Sequence, residues 1–508
     1  MEVILETTIL CNKPKTKLGH ILVKTLCCAL LICSVLLFFS AQWYINHYGD
    51  TGFDSVLFTL FSNMNGVDSG ILKSFALDAL LPTFFVSALC ICVIFLIRIK
   101  KEWFFKIKLW HKSVIALIIA LIFLICAGSK VSIFGYAYKL MHKSTLFDDF
   151  YIDPAETEII FPEEKQNLIY IFLESIENAY MSKADGGALP KNIMKELTHL
   201  ADKNVNFSHN SGVGGFFTPP GSTWTVAAMV SQSAGIPLKA SPGTLNNNEY
   251  GKDAFLPGVT TLTDILHQNG YNQALMVGSN ASFANRDIYY KNHNTDFIYD
   301  LNTAKEDKLI PEDYYVWWGM EDTYLFDYAK DKLLEMSKED KPFSLTLLTV
   351  DTHFADGFIC NFCKNEYHEQ YSNVISCASR QVHNFVNWLK KQSFYKNTTI
   401  VIAGDHLTMD NEYIQRNVDE NYERTVYNCF INSKTETENL KNRVFTSFDM
   451  FPTTLSAIGC EIGGERLGLG TNLFSQKPTL AEEIGYDELS YQLDLSSKYY
   501  IKNFLIKQ

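Results

Sequence analysis

Leu168–Leu173 (LIYIFL), followed at once by Glu174-Ser175, is the stretch on which the fold turns. Six apolar residues without polar alternation read as a strand covered on both faces, and the polar pair marks its carboxyl end. Three further runs repeat the pattern. Gln273–Val277 (QALMV) leads into Gly278-Ser279-Asn280, Ser344–Val350 (SLTLLTV) into Asp351-Thr352-His353, and Thr399–Ala403 (TIVIA) into Gly404-Asp405-His406. Helical patterns separate the runs, so an α/β domain with a mainly parallel central sheet is expected. Ligands bind such sheets beyond the carboxyl ends of the strands. A single polar residue at a strand end is usually a turn residue. Four strands ending in Glu, Ser/Asn, Asp-Thr-His and Asp-His place carboxylates, imidazoles and hydroxyls along one edge.

Toward the N-terminus the chain changes character. Thr25–Trp43, Ala79–Ile97 and Ser113–Ser129 carry no charge, and a bilayer core needs about 20 apolar helical residues. They read as transmembrane helices over about 21–44, 76–97 and 113–133, in an anchor of residues 1–138, with a linker at 139–162 and an outer domain at 163–508. Lys13, Lys15, Lys17 and Lys24 precede the first span, and Arg98, Lys100, Lys101, Lys106, Lys108 and Lys112 fill the second link. The first link instead carries Asp50, Asp54 and Asp68. Positive-inside puts the N-terminus and second link in the cytoplasm and everything after about residue 130 outside. The charge divides along the same line. Of 508 residues, 47% are apolar and 20% charged, with a net charge of −12. Residues 1–150 hold 14 Lys/Arg against 9 Asp/Glu, a balance of +5, and the remainder 30 against 47, a balance of −17. An acidic outer portion argues against nucleic acid as a partner. Five of the 12 cysteines lie outside, and an oxidising exterior permits a disulfide, expected between Cys363 and Cys377. Cys360-Asn-Phe-Cys363 has zinc-ligand spacing, but no second CxxC or His pair completes a structural site.

Ser211–Gly221 (SGVGGFFTPPG) runs into Ser222-Thr223-Trp224-Thr225 and the small-residue segment Val226–Met229. The hydroxyls are either helix caps or a nucleophile at a helix N-terminus, where free N–H groups favour a phosphate. Glu174, Asp405 and His406 offer a mixed oxygen and nitrogen set suited to Mn²⁺ or Zn²⁺. Such an ion lowers the pKa of a nearby hydroxyl and neutralises charge on an attacked phosphorus. His353 is either a satisfied core histidine or a group that orients or protonates a phosphate ester. Arg286 is either paired at the surface with Asp287 or another acid, or holds phosphate oxygens by paired hydrogen bonds.

Together, Asn167–Ser175, Thr225–Val230 with Gly235-Ile-Pro-Leu238, Val350-Asp-Thr-His353 with Asp356-Gly-Phe358, and Gly404-Asp-His-Leu407 resemble the phosphoglycerol transferases of the alkaline phosphatase/sulfatase-like superfamily. The similarity is greatest to enzymes that decorate osmoregulated periplasmic glucans, and wider to lipoteichoic acid synthases. It extends over nearly the whole chain, including Asp54–Leu72. The resemblance implies a bacterial inner-membrane enzyme with its catalytic domain in the periplasm. It implies a ping-pong reaction: a Thr attacks phosphatidylglycerol, releases diacylglycerol, and passes phosphoglycerol to a glycan acceptor. It assigns Glu174, Asp405, His406 and the nucleophile to one divalent ion, with Mn²⁺ first and Mg²⁺ or Zn²⁺ as alternatives. Thr225 matches the nucleophile, with Thr223 as the alternative, and His353, Arg286, Asn280 and Trp224 fall on the substrate side.

Three departures qualify the match. No Cys-x-Pro-x-Arg or Ser-x-Pro-x-Arg occurs in the nucleophile loop, where Phe217-Thr-Pro-Pro-Gly221 stands, so the formylglycine route of true sulfatases is not expected. No His follows His406, unlike phosphoethanolamine transferases, whose action on lipid A or another surface glycan is the competing reading. The chain stops soon after Arg466-Leu-Gly-Leu-Gly470, where long glucan-modifying relatives continue, which leaves the acceptor open. A non-catalytic membrane sensor keeping this fold is the third reading, and the intact metal set speaks against it.

Overall fold

The computed structural model describes residues 13–48, 53, 56, 57, 69–96, 109–239, 254–314 and 316–505. Two compact units emerge: Met1–Asn46 with Ser69–Phe134, and His47–Asp68 with Gly135–Gln508. Ile21–Tyr48, Gly70–Phe95 and Lys112–Lys130 are helices long and apolar enough to cross a membrane. Cys27, Leu31 and Val35 of the first pack with Ile94 of the second and with Ala116 and Ala120 of the third. Leu26, Phe84, Phe85 and Leu121 instead remain exposed, as side chains facing lipid do. The second helix contains a π-turn at Ala76–Leu80, just before Pro82, which lacks an N–H and crowds the carbonyl one turn back. The third ends at Lys130, short of the expected residue 133, because Ser132 adopts a left-handed φ of 55°. Asp50, Asp54, Asp68 and the basic positions from Arg98 to Lys108 lie outside the described residues, as does most of Asp54–Leu72.

The second unit is built on a seven-stranded sheet. Its strands are β1 (Asn167–Leu173), β2 (Gly215–Phe216), β3 (Asn272–Val277), β4 (Phe297–Tyr299), β5 (Phe343–Leu348), β6 (Thr398–Gly404) and β7 (Val426–Ile431). Their spatial order is β2-β7-β6-β1-β5-β3-β4. β1 lies parallel to β5 and β6, and β3 to β5 and β4, while β7 runs antiparallel to β6 and β2. The expected mainly parallel α/β sheet is therefore present, with an antiparallel edge. Alternate residues of β1 serve opposite cores. Leu168, Tyr170 and Phe172 pack with Val226, Met229 and Val230, whereas Ile169, Ile171 and Leu173 pack with Leu325, Phe326, Ile375 and Val382. Each such side chain contributes about 1.5–3 kcal/mol when fully buried, which explains the absence of polar alternation. The register then positions the edge. Phe172 pairs with both Leu348 and Ala403, and Leu173 with Gly404, so Glu174, Thr349 and Asp405 emerge at one level.

Residues 139–162, expected as a linker, include the helix Leu146–Phe150, whose Leu146 and Phe147 are buried. The Phe147 ring lies 5.6 Å from Tyr500 and 5.5 Å from Phe504. The expected Cys363–Cys377 disulfide is not formed: both are free, and Cys360 sits beside each of them. Near the C-terminus, Glu482 receives Arg443 Nε at 2.8 Å and Nη2 at 3.0 Å, and the N–H groups of Thr479 and Val444. Burial opposes its charge, yet the Arg443 hydrogen bond and charge together with the Thr479 and Val444 N–H groups outweigh it and hold the carboxyl below the usual Glu range. Its folded pKa being depressed, the contribution is complete above the unfolded value of about 4.3 and is lost as pH falls through the folded one. Glu482→Gln is expected to cost about 3 kcal/mol by leaving Arg443 buried without its counter-charge. Thermal unfolding at pH 7 and pH 4 checks this: the variant should lose more at pH 7.

Candidate active site

Glu174 follows β1 and is completely buried. Its N–H donates to Thr349 Oγ1 at 3.0 Å, and Thr352 Oγ1 donates to its carbonyl at 2.5 Å. Ser175, at a left-handed φ of 56°, turns the chain so that its hydroxyl donates to Glu174 Oε1 (2.8 Å) and its N–H to Asp405 Oδ1 (2.8 Å). Asp405 Oδ1 also accepts the His406 N–H at 2.7 Å, while Asp405 Oδ2 is buried with no hydrogen-bond partner. His406 Nδ1 donates to the Leu407 carbonyl (2.8 Å), which fixes the tautomer and leaves Nε2 as a lone pair. That Nε2 stands 3.6 Å from Glu174 Oε1 and 3.3 Å from Asp405 Oδ2. The electrostatics are those of crowded, buried titratable groups. Burial, then the neighbouring Glu174 charge, push the Asp405 carboxyl up toward neutral pH. Burial opposes a charged His406, but Asp405 and Glu174 raise it above the usual histidine range.

The hydroxyl comes from the helix Thr225–Ala234. Trp224 precedes it in extended conformation (φ −141°), and Gly235 closes it at φ 64°. A Cβ on Gly235 would lie 2.9 Å from the Leu467 carbonyl, so that turn requires glycine. Residues Val226 to Ala234 are all buried, with small side chains on every face. Gln232 anchors the helix: its Nε2 donates to the Gly404 carbonyl (3.1 Å) and its Oε1 accepts the Tyr170 hydroxyl (2.8 Å). Thr225 Oγ1 thereby lies 3.3 Å from Glu174 Oε2 and 3.3 Å from His406 Nε2, at the helix N-terminus. Ser222 Oγ is spent on the Pro219 carbonyl, and Thr223 Oγ1 is buried without a hydrogen-bond partner. Only Thr225, of the three hydroxyls in that turn, joins the acid–imidazole set.

Arg286 is 1% exposed and so is no surface ion pair; Asp287 faces Lys291 instead. Arg286 Nη2 donates to Ser279 Oγ (2.8 Å) and the Asn280 carbonyl (2.7 Å), and Nε to the Phe283 carbonyl (3.1 Å). Its Nη1 is buried with no hydrogen-bond partner. The guanidinium lies 5.7 Å from the Phe283 ring centre and 5.8 Å from that of Trp318. Burial lowers its pKa to about 10, against the pull of Glu174, Asp300 and Asp287, so it stays charged at neutral pH. The His353 ring stands 4.2 Å from Trp318 and 4.9 Å from Phe354, with Nδ1 on the Phe354 carbonyl at 2.7 Å. Burial lowers its pKa, with the nearby His406 and Arg286 charges adding and Glu174 opposing. Asn280 contributes chiefly through its backbone, because its Oδ1 accepts from Ser282 N and Oγ. Trp224 caps the helix and packs against the core. Sequence reasoning placed Ser175 and Thr352 at strand ends without a role and missed Gln232, Thr349 and Trp318. The adjacent Trp317-Trp318 pair ahead of a glycine was a visible signal; the others are ordinary polar residues.

This arrangement, on this sheet, defines the alkaline phosphatase/sulfatase-like fold. The sulfatase family matches residues 166–460, and the chain belongs to that family. Phosphoglycerol transferase I of Escherichia fergusonii is 31% identical over 383 residues, covering 72% of this chain and 46% of that protein. This chain thus spans about half the length of that relative. Among solved structures, the lipooligosaccharide phosphoethanolamine transferase A (EptA) of Neisseria meningitidis aligns with a TM-score of 0.50 at 12% identity. It covers 86% of this chain and 84% of that one. The lipoteichoic acid synthase LtaP of Listeria monocytogenes gives 0.48 at 20% identity, over 63% and 79%. The fold implies a divalent metal ion, and the residues fit one. Glu174, Asp405 and His406 each present a ligand atom within 4.8 Å of the others, and the orphaned Asp405 Oδ2 is a donor with nothing to bind.

Proposed function

We propose that this chain is a membrane-anchored phosphoglycerol transferase that moves sn-glycerol-1-phosphate from phosphatidylglycerol to a periplasmic or surface glycan and releases diacylglycerol. The observation that carries it is Thr225 Oγ1 at 3.3 Å from both Glu174 Oε2 and His406 Nε2, in a protein with three membrane-length helices. The ion, with Mn²⁺ the first choice, supplies Lewis-acid charge at this hydroxyl and at the phosphate. Thr225 Oγ1 forms the new P–O bond and gives its proton to solvent, while the P–O bond to diacylglycerol breaks and its oxygen takes a proton from solvent. In the second half the acceptor hydroxyl attacks the Thr225 phosphoester, and Oγ1 departs and is reprotonated. Glu174, Asp405 and His406 would hold the ion, while Arg286 Nη1 donates a hydrogen bond to a phosphate oxygen. His353, kept neutral by burial, accepts the acceptor's proton at Nε2. The extracytoplasmic placement of this domain and a cytoplasmic N-terminus belong to the same reading, supported by the lysines flanking the first span.

Full-length protein in detergent, given labelled phosphatidylglycerol, Mn²⁺ and a glucan, is expected to release diacylglycerol and label the glucan. No release would sink the reading. A preference for phosphatidylethanolamine would replace it by phosphoethanolamine transfer to lipid A or another surface glycan. Arg286→Gln removes the charged donor and is expected to lower kcat/KM for donor lipid about a hundredfold. Unchanged kinetics would remove Arg286 from the site.

A further inference from the structure

Outside the Glu174 site, three cysteines meet. Cys360 Sγ lies 3.7 Å from Cys363 Sγ and 3.6 Å from Cys377 Sγ, and the three sulfurs are all within 4.8 Å of one another. A disulfide brings two sulfurs to about 2.05 Å. Sulfurs held about 2.3 Å from a tetrahedral zinc ion stand about 3.8 Å apart. The Cys360 distances match the edge of that tetrahedron.

Several hydrogen-bond donors face the sulfurs. The turn from Cys360 to Cys363 is closed by the Cys363 N–H on the Cys360 carbonyl (3.1 Å), and the N–H groups of Phe362 and Cys363 point at Cys360 Sγ. Gln381 Nε2 lies 3.8 Å from Cys360 Sγ and 3.7 Å from Cys377 Sγ. Its Oε1 accepts the Thr323 hydroxyl at 3.0 Å, which turns the amide donors toward sulfur. Arg380 adds positive charge near Cys377. Around Cys360, however, stand Glu321, Asp322 and Asp351, and Asp351 Oδ2 is buried with no hydrogen-bond partner. Three sulfur ligands beside three carboxyl groups are tolerable once a dication compensates them. Cys360 and Cys377 are buried, whereas Cys363 is partly exposed, so the open side of the cluster faces water.

We propose that Cys360, Cys363 and Cys377 form a second metal site, for Zn²⁺, with three sulfur ligands and a fourth position open to water. Each thiol gives its proton to solvent as its sulfur binds. Cys360 and Cys363 end the segment that carries His353, Phe354 and Phe358, and Cys377 lies on the helix Gln370–Leu389. The ion would clip that segment to the helix. The site stands on its own geometry and is independent of the transferase reading.

Full-length protein, purified under reductant and stripped with chelator, is titrated with Co²⁺. The expected result is an intense near-ultraviolet sulfur-to-cobalt absorption, displaced by Zn²⁺, lost in Cys360→Ser and kept in Glu174→Ala. Gln381→Ala retains every ligand and is expected to weaken Co²⁺ binding about 10- to 100-fold. Absence of the band in the wild-type protein would overturn the site, as would its persistence in Cys360→Ser. Isolation without reductant, followed by alkylation and mass spectrometry, provides a second readout that needs no variant. Three alkylatable sulfurs with bound zinc support the site; a disulfide among the three, without zinc, refutes it.

Discussion

Thr225→Ala is expected to reduce diacylglycerol release by at least about a thousandfold, equivalent to about 4 kcal/mol of activation free energy. The size follows from what is lost. No neighbouring hydroxyl replaces Oγ1, because Ser222 is committed to the Pro219 carbonyl and Thr223 Oγ1 makes no hydrogen bond to Glu174 or His406. Thr223→Ala should therefore keep activity within a few-fold of wild type. Peptide mass spectrometry after a short incubation with donor and no acceptor should find phosphoglycerol on Thr225. The methyl of Thr225 touches no proton in the reaction, so Thr225→Ser should retain far more activity than Thr225→Ala. Full release by the alanine variant, or an adduct on Thr223, would remove Thr225 from its role.

The strands that bear the site were legible because both faces of each are buried. β1, β3, β5 and β6 are short, apolar and bounded by polar ends, and nothing but a sandwiched strand explains LIYIFL beside TIVIA. β7 was not legible: Asn428 interrupts its apolar run, and its antiparallel pairing with β6 and with the two-residue β2 is made between segments remote in sequence. β2 and β4 have two and three residues, too few for any periodicity. The same division runs through the site. Glu174, Asp405 and His406 follow directly from strand ends in register. The choice of Thr225 over its neighbours depends on helix placement set by Gln232 and Gly235, which a linear pattern does not encode. Trp318 lies beside both Arg286 and His353 because a loop folds back over the edge, a non-local contact. Cys363 and Cys377 were expected to meet as a disulfide and the CxxC was read apart from them, whereas the fold brings Cys360 beside both.

In metal-free protein, Asp405→Asn is expected to raise the unfolding temperature by several degrees, and in metal-loaded protein to lower it. The metal-free state confines the Glu174 and Asp405 carboxyls without solvent, and burial with the Glu174 charge raises the Asp405 pKa. A carboxyl whose folded pKa exceeds its unfolded value binds protons more tightly when folded. Its unfavourable share therefore grows as pH rises from about 4 toward neutrality. The neutral amide removes that penalty. With the ion present the sign reverses. Ligand at a hundred times its dissociation constant stabilises the fold by about 2.7 kcal/mol, and this linkage needs the charged carboxylate and strengthens as pH rises. His406, held above its usual range by Asp405 and Glu174, must lose its proton for Nε2 to bind, so the ion's stabilisation fades on acidification through that titration. Unfolding curves with Mn²⁺ and with chelator, from pH 5 to pH 8, should cross between wild type and variant. If the metal-free variant is the less stable at pH 7 and Mn²⁺ protects both proteins equally, Asp405 does not bind the ion.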